Sequence, residues 1–144
     1  MSKAIPQDVK KLGFSEAMFE GLEELQSVTF EEWIQAKLDA AAMTLLREIP
    51  STTYEKTDAL DLVVNAEACL AGAEMARVKR LLSAEDQETV SVGPIGGLGN
   101  SGRTFAAFGA LANELESRAA GFIERLKKLS PPVDRIGMIF VPGE

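Results

Sequence analysis

The sequence predicts an all-α fold, a small helical bundle, on three observations. Apolar residues recur at 3.6-residue spacing in three separate stretches, and each such stripe needs the others to cover it. Each stretch also carries a start or stop signal of its own. What remains outside them is a short extended piece and a tail, too little for a sheet. Long helices are expected near 30–49, 57–83 and 103–129, with an extended segment near 88–93 and an extended C-terminal tail. The chain reads as a single domain over 1–144, with an irregular start at 1–13 and a C-terminal arm at 131–144.

In order, Pro6 and Gly13 break the first residues, and Ser15 can cap a short helix through about Gln26 with Met18, Phe19, Leu22 and Leu25 on one side. Thr29 and Glu32 then have capping-box spacing, and Val28 with Trp33 has that of a hydrophobic staple. Phe30, Trp33, Ile34, Leu38, Ala41, Leu45 and Ile49 carry the stripe until Pro50 stops it. Ser51 to Lys56 links to the second long helix, where Thr57 is a plausible cap, Asp58 and Asp61 fall in the first turn, and Arg77, Lys79 and Arg80 in the last. Its stripe is Leu60, Val63, Val64, Ala71, Val78, Leu81 and Leu82, with Glu67 and Glu74 set inside it.

Thr89-Val90-Ser91-Val92 alternates and is β-branched, which predicts a short strand. Gly93, Gly96, Gly97, Gly99 and Gly102 predict an irregular, flexible or partner-ordered loop. The last stripe is Phe105, Phe108, Leu111, Leu115, Ala119, Phe122, Leu126 and Leu129, closed by Pro131-Pro132.

Composition narrows the function. An apolar content of 46% with 26% charged residues is ordinary for a folded domain, so wholesale disorder is not expected. A net charge of −7 argues against a surface that grips nucleic acid. With no histidine, Ser-His-Asp and Cys-His catalysis and the usual zinc and iron sites have no ligands or base. The single Cys69 admits no disulfide within the chain and fits a reducing compartment. No segment has the length of a signal-peptide core or a membrane span. The chain reads as non-enzymatic, needing no cofactor or metal.

Three candidate sites remain. Gly97 to Thr104 nearly spells a phosphate-binding loop, but Arg103 stands where that motif has lysine. Glu67 and Glu74 form either an acid–base or metal-binding pair or a structural charge ladder. Arg118 and Arg125 share their seven-residue spacing, so antiparallel helices would pair Glu67 with Arg125 and Glu74 with Arg118, within one chain or between subunits. The ladder is the stronger reading, because buried charges are normally paired. Cys69 reads as a small packing residue. In the tail, Ile136, Met138 and Phe140 alternate with Gly137, Ile139 and Val141, so an extended arm is apolar on both faces. Ile136, Met138, Ile139, Phe140 and Val141 are expected to dock on another chain by strand addition.

The order FEEWIQAKLDAAA, proline and tyrosine, ALDLVVNAEACLAGAEMARVKRLL, ETVSVG, a glycine-rich link and FAAFGALANELESRAAGFIERLKKL resembles the head-to-tail adaptor (connector) proteins of tailed bacteriophages. The resemblance covers roughly residues 29 to 130 and rests on order and helix texture. It implies a virion structural protein, made in the bacterial host cytoplasm. Such a protein is a homo-oligomeric ring joining the portal protein to a further connector or tail protein. DNA passes through the lumen without specific binding, and no membrane is involved. Two other classes fit the residues: a small bacterial helical interaction or regulatory module, and a nucleotide-binding protein using Gly97 to Thr104.

Overall fold

The computed structural model describes residues 1–90 and 95–129, the side chains of 83–90 and 95–105 excepted. Its regular elements are all helical: α1 (Pro6–Lys10), 3-10 turns at Glu16–Phe19 and Glu23–Gln26, α2 (Phe30–Glu48), α3 (Ser51–Tyr54), a 3-10 turn at Thr57–Ala59, α4 (Leu60–Val90) and α5 (Ile95–Leu129). The expected small α-helical bundle is therefore the fold.

Helix α2 starts where the capping box predicts. Thr29 Oγ1 accepts from the Glu32 amide at 3.1 Å, and Glu32 Oε1 accepts from the Thr29 amide at 2.9 Å. Val28 stays exposed, while Trp33 turns inward against Phe19 and Phe30. At the other end Ile49 is extended ahead of Pro50, and the predicted stripe from Phe30 to Ile49 is buried.

Four local expectations are corrected. The start is not irregular throughout: Pro6 sits at the first turn of α1, and Ala4 and Val9 are buried. The helix expected over 15–26 is two 3-10 turns, because Gly21 between them takes a φ of 93°, outside the helical region. Thr57 begins a 3-10 turn flanked by Lys56 and does not cap α4. Thr89 and Val90 complete α4 rather than opening a strand, since adding one residue to a formed helix gains a hydrogen bond and β-branching costs only tenths of a kcal/mol, roughly. Ser91 to Gly93 lie outside the described residues.

A fifth correction concerns the glycine link. Gly96, Gly97, Gly99 and Gly102 lie in the helical backbone of α5. Glycine weakens a helix by about 1 kcal/mol per residue without forbidding it, and α5 is nucleated further along by its packed stripe. The C-terminal arm 131–144, including Ile136, Met138, Ile139, Phe140 and Val141, lies outside the described residues.

Helix α4 is the central element. From Ala66 to Ala76 only Leu70 and Glu74 escape full burial, because α1, α2 and α5 all pack on it. Of the expected stripe, Val63 and Ala71 are buried and Val64, Val78 and Leu82 pack on the core, whereas Leu60 and Leu81 are exposed; Ala66, Ala68, Cys69, Ala73 and Ala76 widen the contact surface beyond the stripe. Helices α4 and α5 form an antiparallel hairpin. Lys56 Nζ donates to the Leu129 carbonyl at 3.1 Å, Leu126 packs with Val63 and Ala66, and Arg77 pairs with Glu116. Where they cross at Gly72, an added Cβ would meet Leu12, Phe14 and Leu115, each at 3.1 Å. Glycine at this position lets α5 and the segment after α1 pack closely on α4 without displacing those side chains.

Candidate functional site

Glu67 has 0% of its surface exposed, about two turns into the central helix. Its stripe position points it at the N-terminal segment and at Tyr54, which α3 brings against α4. Oε1 accepts from the backbone amides of Lys3 and Ala4, both at 2.8 Å. Oε2 accepts from the Tyr54 hydroxyl. One carboxylate thus fixes residues 3 and 4 onto the bundle. Around it Ser2 donates its amide to Asp39 at 3.1 Å, and Gln35 Nε2 bridges Asp39 and Ser2 Oγ at 3.0 and 2.9 Å. Lys3 Nζ lies 2.5 Å from Glu55 and over the Tyr54 ring.

Burial pushes the Glu67 carboxyl above its ordinary value, while the bonds from Tyr54, Ala4 and Lys3 pull the other way. Burial, and then the neighbouring Glu67, raise the Tyr54 phenol as well. The Tyr54 oxygen also lies 3.3 Å from the Met1 carbonyl. A neutral Glu67 can donate to Tyr54, freeing that hydroxyl to donate to Met1. An ionised Glu67 accepts the hydrogen bond of the Tyr54 hydroxyl, which then no longer donates to Met1. The site's chemistry is that of a proton-sensitive anchor for backbone.

The four ladder residues are not brought together. The level is right, since Glu67 and Arg125 sit at similar heights on the hairpin, but the faces differ. Glu67 turns to the N-terminal segment, and Arg125 lies outside over the Phe122 ring. Exposed Glu74 pairs with Arg77 at 3.4 Å, and Arg118 pairs with Glu114 one turn before it. Seven-residue spacing on two helices fixes height, but not which flank of each helix meets the other. Cys69 is buried as expected, and burial raises its thiol.

Sequence reasoning missed the Lys3 and Ala4 amides, Tyr54, Gln35 and Asp39. Backbone amides carry no sequence signal, though a lone glutamate on an apolar stripe marked the position that needed donors. The helical backbone over Gly97 to Thr104 does not form the loop a phosphate would require, because most amides there point along the helix toward preceding carbonyls. Among the described residues, no group of three acidic or cysteine side chains has the arrangement of a metal site, and no helix is long and apolar enough to cross a membrane. No family model, curated protein or solved structure matches this chain.

Proposed function

We propose that the chain is a non-enzymatic structural subunit of a tailed-phage head-to-tail connector, a ring between the portal protein and the next connector or tail protein. The observation that carries this reading is the succession of elements. A capped α2, a turn holding Pro50 and Tyr54, and the long small-residue helices α4 and α5 follow in the order the connector resemblance leads one to expect, although the extended piece and glycine link it places between them are helical to Val90 and from Ile95. The site supports the same role, since Glu67 is spent on holding backbone. A net charge of −7 suits a lumen through which DNA slides without being held.

The test is reconstitution. Mixed with portal protein and imaged by electron microscopy, the full chain is expected to add a ring at one pole of the portal. It is also expected to leave DNA unshifted in a gel at low salt. Failure to bind portal, or tight DNA binding, would contradict the proposal.

A further inference from the structure

Beside the bundle, the two 3-10 turns enclose an open groove of about 450 Å³. Phe19 is buried at its base, partly buried Leu22 and Leu25 line it, and the exposed carboxylates of Glu16 and Glu20 form its rim. Among the described residues no cation pairs with either glutamate, although Lys10 close by in sequence is paired with Glu31. An apolar base under an unneutralised acidic rim fits an occupant with apolar side chains and a single cation.

The chain carries such a segment. Residues 130–144 continue beyond α5 and include Arg135-Ile136-Gly137-Met138-Ile139-Phe140-Val141. Drawn out as a strand, it puts Arg135, Gly137, Ile139 and Val141 on one face and sends Asp134 to the other. Gly137 leaves room for the backbone to come close to the rim. No strand edge exists among the described residues to receive this segment by β-addition, so a groove is the fitting receptor.

Geometry disfavours docking within one copy. The groove lies beside Phe30, whose ring is 5.9 Å from that of Phe19, at the start of α2. The described end of α5 lies at the other end of α2, where Lys127 Nζ is 3.3 Å from Glu48. At a rise of 1.5 Å per residue, Phe30 and Glu48 are about 27 Å apart. The six residues from 130 to 135 span at most roughly 20–22 Å even fully extended. Reaching its own rim therefore demands a fully straightened segment with the Arg135 side chain stretched along α2, whereas a second copy meets no such tether.

We propose that this groove receives the Arg135–Val141 segment of a second copy of the chain. Arg135 meets Glu16 and Glu20, and Ile139 and Val141 enter over Phe19, Leu22 and Leu25. The end of α5, from which the segment continues, and the groove lie at opposite ends of α2, so the contact is head-to-tail and propagates around a ring. The inference rests on the proposed connector reading, in that it presumes the chain assembles with itself.

Two full-length variants, Ala17→Cys and Ile139→Cys, each keeping the buried Cys69, are mixed and mildly oxidised. Unmodified chain with its buried Cys69 serves as one control, and Ala107→Cys on the exposed side of α5 as another. The expected result is several-fold more disulfide-linked dimer from the 17–139 mixture than from either control. Adding Glu16→Lys and Glu20→Lys to the groove copy should remove that excess, and Arg135→Glu on the segment copy should restore it. No excess over the controls, or a bridge formed only within one chain of a double variant, overturns the contact. Light scattering on the unmodified chain separates the two readings. Assembly without a 17–139 bridge leaves the connector reading standing and this contact wrong, and a monomer without the bridge removes both.

Discussion

Glu67 is the residue that ties the N-terminal segment to the bundle. Glu67→Ala strands the buried Ala4 amide and the part-buried Lys3 amide and takes away the carboxylate partner of Tyr54, a loss of roughly 1–3 kcal/mol expected in urea unfolding. Glu74→Ala and Arg118→Ala break only exposed pairs and should each stay within about 0.5 kcal/mol. The pH dependence follows from the raised Glu67 carboxyl. The folded state holds that proton more tightly than the unfolded chain, so the contribution is full at low pH and is lost as pH rises through the folded value. The other ionisable groups around the anchor are Lys3, Tyr54, Glu55 and Asp39, and they remain in place in a Glu67→Gln variant. The stability of the unmodified chain relative to Glu67→Gln should therefore decline as pH climbs above the ordinary glutamate range. A rise instead would mean that a cation holds Glu67 charged, as the ladder with Arg125 required.

At the scale of elements, most of the bundle was legible. The stripe of α2 is buried as its spacing predicts, the described part of the α5 stripe is buried or partly buried, and the Thr29 cap and the Pro50 stop lie where expected. Hydrophobic periodicity reports on an element long enough to show several turns. It is silent on α1, five residues long, and on the 3-10 turns that Gly21 separates. On α4 it found Val63, Val64, Ala71, Val78 and Leu82 but placed Leu60 and Leu81 inside when they are exposed, and it missed the wider contact surface that small residues make where helices approach closely. Composition overstated the glycine link for a related reason, since glycine is permissive rather than prohibitive in a helix. Two glycines test this packing. Gly72→Val should lose about 1–3 kcal/mol by forcing Leu12, Phe14 and Leu115 apart. Gly121 in α5 has no atom within 4 Å of an added Cβ, so Gly121→Ala should gain about 0.5–1 kcal/mol. Thermal melts of the pair in opposite directions would bear out this crossing.

At the scale of the whole molecule, the described residues build one continuous hairpin-centred bundle whose N-terminal segment is locked by Glu67 and whose groove at 16–26 stands open. The fold was readable because stripes demand partners. The site was only half readable, because Glu67 announced a need without naming the backbone amides that meet it. The central claim is that this chain works as an assembled structural subunit. Its most direct test is the native mass of the full chain by light scattering over a range of concentrations at physiological salt. The account predicts a discrete mass that is a whole multiple of one copy, consistent with a closed ring, and a return to single copies when residues 134–144 are deleted without loss of melting temperature. A full chain that holds the mass of one copy at every concentration, alone and with portal protein present, would contradict it.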